Sequence, residues 1–204
     1  FLSVEKEKVQ MKIEQTGAII LQARFFSEII RRLPDNTVTL EVIENNQVAI
    51  TSGKANFTVN GLDADSYPHL PVVESQDRIE VPAHILNKIV NETVFAVSQH
   101  ESRPILTGVH FVLENKKLLA VATDSHRLSQ RVIPLESGEA NFNIVIPGKS
   151  LTELSRSLTD EEEAIQISIM DNQVLFQTNT MKFYSRLLEG TYPDTNRLIP
   201  SSFN

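Results

Sequence analysis

Residues 142–158, FNIVIPGKSLTELSRSL, carry the pattern that decides the fold, because a short apolar strand runs directly into an amphipathic helix. Residues 79–95, IEVPAHILNKIVNETVF, show the same pattern 65 residues earlier, with Pro82 in the place of Pro147. A proline is tolerated in the first turn of a helix, where its missing N–H costs no hydrogen bond. We therefore predict that each strand is followed by a helix whose first turn holds the proline.

A longer repeat extends over most of the chain. Three pairs of matching segments occur in the same order, namely 28–33 with 153–158, 46–50 with 172–176, and 67–68 with 192–193. Their offsets are 125, 126 and 125 residues. Agreement of three offsets in one order indicates an internal duplication rather than chance similarity.

Each repeated unit has one strand, one helix and three further strands. The leading strands are predicted at 18–21, 79–81 and 142–146, and the helices at about 23–33, 82–95 and 148–158. The later strands alternate apolar and polar residues, as in 38–42 and 57–60, and polar turns such as 44–46 and 114–116 separate them. The pattern predicts an α+β fold with helices on one face of antiparallel sheets.

The unit count also predicts the domain organisation. One such unit is marginal by itself, whereas two units make a domain of ordinary size. Residues 17–71 then form the second half of one domain, and residues 76–200 form a complete domain. We therefore divide the chain into domains at 1–75 and 76–204. The leading residues 1–14 look like the last strand of an earlier unit, which predicts that the chain begins inside a domain.

The composition argues against catalysis. The chain has no cysteine, only seven glycines without a phosphate-binding loop, and five scattered histidines without metal-ligand spacing. Asp124, Ser125 and His126 offer the residue types of a catalytic triad, but consecutive residues cannot face one another as a triad requires. We expect a protein that is not an enzyme and that uses no cofactor or metal.

The charge is unevenly distributed. The net charge is −7, yet the predicted helices carry six cationic side chains and three glutamates. The cationic residues are Arg24, Arg31, Arg32, Lys88, Lys149 and Arg156. A basic helical face repeated over many units suits a duplex phosphate backbone without reading bases. A simple solvated helix face is the alternative interpretation, and the charge pattern alone favours it.

Residues 103–128 carry a recognisable signature. Arg103-Pro-Ile-Leu-Thr-Gly-Val109 leads through a hairpin to Val121-Ala-Thr-Asp-Ser-His-Arg-Leu128, and this region resembles the central domain of the bacterial DNA polymerase III beta subunit, the sliding clamp family. Residues 190–200, GTYPDTNRLIP, resemble the family's segment at the end of that domain, and residues 52–57 resemble a strand pair of its first domain. The resemblance runs in order over the whole chain.

The resemblance implies a fold and a function. Members of this family have three domains of two units each, and two subunits close head to tail into a ring around duplex DNA, with helices lining the hole. The family would make this chain part of a cytoplasmic processivity factor that forms a homodimer at full length. Its implied partners are duplex DNA, the DNA polymerase III catalytic subunit, the clamp loader, and other polymerases and repair proteins that dock through short peptide motifs.

The family's peptide pocket maps onto residues of the central domain. The matching positions are Arg103, Leu106, Thr123, Ser125, His126, Arg127, Leu128, Pro193, Arg197 and Leu198. The leucines and the proline would form an apolar groove for hydrophobic anchors, and the polar residues would bind peptide carbonyls or a carboxylate. The family usually has glycine at position 125, so serine there leaves open a backbone contact that needs a positive φ.

Two further surfaces follow from the resemblance. The DNA-facing residues would be Arg24, Lys88, Gln99, His100, Lys149 and Arg156. Phe57 and Val59 would lie on the edge strand at the subunit interface, and core packing is an equal alternative for Phe57. A repeat adaptor that binds peptides without encircling DNA is the alternative function, and it predicts basic charge that is not confined to one helix face.

Overall fold

The computed structural model describes residues 2–6, 11–68, 78–135, 140–158 and 163–198. Its contacts divide the chain into two compact units. The smaller unit comprises residues 10–72, and the larger unit comprises residues 73–204 together with residues 1–9. None of the described helices combines the length and the apolar composition that crossing a membrane requires.

The smaller unit packs one helix on one sheet. The helix α1 (Ala23–Arg31) is followed by β2 (Thr39–Ile43), β3 (Gln47–Ser52) and β4 (Ala55–Asn60), which form an antiparallel sheet in that order. Val48, Ile50 and Val59 are buried against the apolar side of α1. The predicted strand at 18–21 is reduced to a single bridge between Ile20 and Leu62.

The larger unit contains two copies of the repeated unit. The first copy consists of β5 (Arg78–Pro82), α2 (Ala83–Thr93), β6 (Gly108–Glu114), β7 (Lys117–Thr123) and β8 (Leu128–Pro134). The second copy consists of β9 (Phe142–Pro147), α3 (Gly148–Ser157), β10 (Ala164–Met170), β11 (Gln173–Gln177) and β12 (Met181–Arg186). The α+β prediction and the repeated unit are confirmed.

The two copies exchange their leading strands. One antiparallel sheet has the order β8-β7-β6-β9, so β9 of the second copy completes the sheet of the first. The other sheet includes β12-β11-β10-β5, so β5 of the first copy completes the sheet of the second. A further strand, β1 (Leu2–Lys6), pairs antiparallel with β12. The exchange joins the two copies into one sheet-and-helix body.

A continuous core lies between the two helices and the two sheets. Leu86 and Ile89 of α2 and Leu151 and Leu154 of α3 are fully buried in it. Burying each such side chain contributes about 1.5–3 kcal/mol. Between the helices, the Ser155 hydroxyl donates to the Asn87 side-chain oxygen at 2.8 Å. The core therefore holds α2 and α3 side by side.

The helix starts differ from the prediction in one respect. Pro82 and Pro147 do not occupy the first helical turn, because their ψ angles of 142° and 132° are extended. Each proline is instead the last residue of a strand and the cap of the following helix. Proline is acceptable at this position because φ near −60° suits it and the end of a strand tolerates the missing N–H.

Candidate functional site

The sheet β8-β7-β6-β9 has an outer face, opposite the helices, with an apolar cluster of its own. Side chains alternate along β7, so Ala120 and Ala122 join the core while Val121 points to the outer face. The outer cluster has a buried set, Leu106, Val121, Val145 and Tyr192, and a partly buried set, Ile105, Leu119, Leu128 and Leu188. Two of these eight residues, Leu106 and Leu128, belong to the predicted pocket.

A covering segment, residues 187–198, crosses this outer face. The Leu188 N–H donates to the Val145 carbonyl at 2.8 Å, which anchors the segment to β9. Gly190 has φ of +131°, a conformation that other residues rarely adopt, and Ile105 lies against it. The covering segment thereby brings Tyr192 into the outer cluster and leaves Pro193 exposed beside it.

The turn at residues 124–127, between β7 and β8, is closed by side-chain hydrogen bonds. One carboxylate oxygen of Asp124 accepts from the backbone N–H groups of His126 and Arg127 at 2.9 and 3.0 Å. The Thr123 hydroxyl donates to the Arg127 carbonyl at 2.7 Å and accepts from the Ser125 N–H at 3.1 Å. These bonds hold the turn in one conformation before any ligand binds.

Ser125 adopts the left-handed conformation at the centre of this turn, with φ of +79°. The sequence left open whether the backbone at position 125 takes a positive φ, and in the structure it does, with serine in place of glycine. A non-glycine residue at positive φ carries a strain of about 1 kcal/mol or more. The Thr123 hydroxyl helps to hold Ser125 in that conformation.

Electrostatics reinforce the turn. The backbone hydrogen bonds from His126 and Arg127, followed by the Arg127 side chain, hold the pKa of Asp124 below its usual value. The carboxylate is therefore ionised at neutral pH, and its second oxygen pairs with Arg127 Nε at 3.0 Å. Burial raises the pKa of Tyr192, against the opposing effect of a hydrogen bond from Thr123, so the phenol stays protonated.

The Arg127 side chain makes two contacts, with Asp124 and with Phe95, and still exposes about half of its surface to solvent. Its guanidinium carbon lies 5.7 Å from the centroid of the Phe95 ring, within the range of a cation–π interaction. Phe95 is 56% exposed, in the short 3₁₀ turn that follows α2. The two contacts orient Arg127 next to the turn and leave donor groups in solvent.

Most of the predicted pocket residues lie in three neighbouring elements. The turn and the two strand ends that flank it contain Thr123, Ser125, His126, Arg127 and Leu128. The 3₁₀ turn at 104–107 and its cap contain Arg103 and Leu106. The covering segment contains Pro193 and Arg197. Arg103, His126, Pro193 and Arg197 are exposed. Leu198 lies in the last 3₁₀ turn, and its side chain is outside the described residues. Their role in peptide binding stays a prediction.

The sequence interpretation missed Tyr192, although it quoted the segment around it. The Tyr192 hydroxyl accepts a hydrogen bond from the Thr123 N–H at 3.1 Å, and its ring stacks on His110 with centroids 4.7 Å apart. A ring nitrogen of His110 lies 2.7 Å from the Asn143 side-chain oxygen. Strand alternation placed Val121 and His110 on the face away from the core, and this was the available signal for a second cluster.

The predicted DNA-facing residues of the larger unit are all exposed. Lys88 lies on α2, and Lys149 and Arg156 lie on α3, where Arg156 pairs with Glu153 at 2.7 Å. Gln99 and His100 lie in the loop after α2, which the Ser98 N–H ties to the Leu106 carbonyl at 2.8 Å.

The smaller unit contributes one of the DNA-facing predictions and both interface predictions. Arg24 is exposed on α1 and lies 3.7 Å from Glu28. Phe57 is 42% exposed on the edge strand β4, whereas Val59 is buried in the core of the unit. The DNA and interface assignments both stay predictions.

The geometry of the acidic turn does not resemble a hydrolytic site. The Asp124 carboxylate binds the backbone N–H of His126 rather than its ring. In the described part of the chain, no three histidine, cysteine or carboxylate side chains come together in a way that would hold a metal ion.

Two family descriptions match the chain. Residues 80–194 match the central domain of the DNA polymerase III beta subunit, and residues 2–71 match its N-terminal domain. A beta sliding clamp of Bacillus subtilis is 53% identical over 197 residues, which cover 96% of this chain and 52% of that protein. A beta sliding clamp of Streptococcus pneumoniae is 47% identical over 205 residues, which cover 100% of this chain and 54% of that protein.

Solved structures of similar proteins show the same fold. The DNA polymerase III beta chain of Streptococcus pneumoniae superposes with a TM-score of 0.93 at 46% identity, covering 100% of this chain and 56% of that chain. The DNA polymerase sliding clamp of Bacillus subtilis gives a TM-score of 0.91 at 50% identity, covering 98% and 55%. The chain spans about half the length of the curated relatives it matches.

Proposed function

Because this chain belongs to the DNA polymerase III beta subunit family, we propose that it carries the peptide-docking surface of a DNA sliding clamp. The observation that supports this most is the outer cluster with the preformed 124–127 turn at its rim. The function is accessory to polymerisation and not catalytic. Its ligands are the short linear motifs of polymerases, the clamp loader and repair proteins.

The surface has the chemistry that such motifs need. Leu128, packed on the buried Leu106, supplies an apolar floor for hydrophobic anchor residues of a peptide. Arg103, Arg127 and Arg197 supply exposed guanidinium groups at its edge, which bind carbonyls and carboxylates. A hydrophobic floor with a few charged donors gives affinity through the anchors and orientation through the polar groups.

We further propose that the full-length protein is a homodimeric ring around duplex DNA in the cytoplasm. The outer sides of α2 and α3 present Lys88, Lys149 and Arg156 against two acidic residues, Glu92 and Glu153. Such a stripe provides weak attraction to phosphates without reading bases, which is compatible with sliding. Phe57 on the edge strand β4 would contribute to subunit contact.

Peptide docking is tested by fluorescence anisotropy with a labelled peptide of the glutamine-leucine-x-leucine-phenylalanine type. The unaltered chain should bind it, and Leu128→Glu should abolish binding, because a carboxylate would be placed in the apolar floor. Val132→Glu is the matched control, since Val132 lies on the same face of β8, is 48% exposed and is outside the outer cluster. Equal affinity of the Leu128 variant and the unaltered chain would refute the assignment.

A further inference from the structure

Thr123 lies at the point where the sheet no longer supplies hydrogen bonds. The ladder between β6 and β7 ends at the pair His110–Val121, two residues before Thr123. On the other side, Thr123 is opposite Leu128, and the hairpin closes one step later through Asp124 and Arg127. The Thr123 residue is only 3% exposed, so water does not replace the missing strand partner.

The Tyr192 hydroxyl supplies the acceptor that β6 no longer offers. It lies 3.1 Å from the Thr123 nitrogen. Thr123 in turn bonds to both Ser125 and Arg127 through its hydroxyl group. One phenolic oxygen is therefore connected through one residue to the whole 124–127 turn, although Tyr192 is 69 residues away in the sequence.

The phenol ring is fixed by neighbours on two other strands. It stacks on His110 of β6 with an interplanar angle of 29°, and His110 contacts Asn143 of β9. Tyr192 is 8% exposed, among Leu106, Val121 and Val145. A ring held in this way cannot follow the turn if the turn moves, so the hydroxyl is a fixed reference point for Thr123.

We propose that Tyr192 is a positioning residue of the peptide-docking surface, whose hydroxyl sets the conformation of the 124–127 turn and thereby the placement of Arg127 and Leu128. This inference rests on the proposed peptide-docking function. It assigns Tyr192 no direct contact with the peptide. Tyr192 acts through Thr123, and its effect appears as preorganisation, because a turn that must be ordered on binding lowers affinity.

The test compares two tyrosine variants of the chain. Tyr192→Phe removes the hydroxyl and keeps the ring on His110, whereas Tyr184→Phe removes a hydroxyl from an equally buried tyrosine on β12, outside the outer cluster. With the labelled peptide, Tyr192→Phe should bind about five- to tenfold more weakly, the effect of one lost hydrogen bond. Tyr184→Phe should bind like the unaltered chain.

A second readout separates positioning from general stability. In Tyr192→Phe, amide hydrogen exchange at Thr123 and Ser125 should accelerate and their NMR resonances should shift, at a temperature where circular dichroism shows the protein fully folded. In Tyr184→Phe the same amides should be unchanged. If Tyr192 only stabilised the fold, Tyr192→Phe would lower the urea midpoint of unfolding but would leave the exchange of these amides and the affinity for the peptide unchanged.

The outcomes distinguish the two levels of the proposal. If Leu128→Glu abolishes binding but Tyr192→Phe binds like the unaltered chain, the positioning role is wrong and peptide docking stands. If the unaltered chain does not bind the peptide, the docking function fails, and the positioning role fails with it. If Leu128→Glu and Tyr192→Phe both weaken peptide binding, and Tyr192→Phe disturbs the turn amides while Tyr184→Phe does not, both levels are supported.

Discussion

Asp124 is one of the residues that hold the 124–127 turn together, through its ionised carboxylate. Its carboxylate accepts two backbone hydrogen bonds and pairs with Arg127, and these contacts lower its pKa. The folded pKa therefore lies below the ordinary value near 3.8. The stabilisation of the turn is fully present above that value and is lost as the pH falls through the lower folded pKa.

We expect an NMR titration of the Asp124 carboxyl carbon to give a midpoint below 3.8. The amide resonances of His126 and Arg127 should move with the same midpoint, because they donate to that carboxylate. In Asp124→Asn, these amides should lose that pH dependence. A midpoint at or above 3.8 would show that the hydrogen bonds do not favour the charged form.

At the residue scale, the sequence located the turn but not the residue that positions it. Thr123 and Leu128 were predicted as site residues because they lie within one short motif. Tyr192 was missed because its function depends on a hydrogen bond to Thr123 that only the folded sheet creates. A sequence shows the residue types within a motif, but it does not show that Thr123 and Tyr192, 69 residues apart, form a hydrogen bond.

The helix α3 contributes directly to the core of the larger unit. Leu154 is completely buried between the helices and the sheets. We expect Leu154→Ala to lower the free energy of unfolding by about 2–5 kcal/mol, from lost apolar burial and the cavity that remains. Urea denaturation followed by circular dichroism measures this loss.

A surface position provides the comparison for Leu154. Val132→Ala shortens an apolar side chain on β8 that is 48% exposed, and it should cost less than about 1 kcal/mol. Similar losses in the two variants would mean that the buried cluster around α3 does not dominate the stability of the unit.

At the element scale, the existence of each helix was predictable, but the ends of α1 and α2 were not. Helix α1 stops at Arg31 instead of continuing to Leu33, because the proline at position 34 disfavours helical geometry in the residue before it. Helix α2 stops at Thr93 and continues as a 3₁₀ turn over Val94–Ala96. Apolar periodicity determines which face is buried but is insensitive to the last turn.

The whole chain carries a net charge of −7, so any attraction to DNA must come from local basic surfaces, of which the stripe on α2 and α3 is one. We expect weak duplex binding at low salt that disappears toward physiological salt. In Lys88→Glu/Lys149→Glu, the slope of log affinity against log salt should fall by about 2, because two phosphate contacts are lost. Fluorescence anisotropy with a labelled duplex measures both quantities.

The hairpin between β6 and β7 offers a control of equal charge. Lys116→Glu/Lys117→Glu gives the same net charge as the helix variant, but both residues are exposed at the hairpin rather than on the helices. Equal weakening by the two variants would mean that overall charge, and not the helix stripe, governs binding. A nanomolar affinity that persists at physiological salt would contradict a topological grip on DNA.

At the scale of the molecule, the sequence predicted the family and the repeat but not every boundary. The resemblance to the DNA polymerase III beta subunit is confirmed by the matches to its two domain descriptions. The division at residues 75 and 76 stays a prediction, and strand β1 pairs with β12 in the larger unit. That pairing joins segments far apart in the chain, and no local pattern in residues 2–6 indicates it.

The exchange of β5 and β9 has a consequence for the order in which the protein forms during synthesis. When β8 leaves the ribosome, its sheet still lacks β9, and β5 has no neighbour until β10 has also emerged. Neither copy is complete by itself, so the larger unit must wait for the end of β12, at Arg186, before its core closes. Cotranslational folding therefore proceeds for this unit in one late step rather than copy by copy.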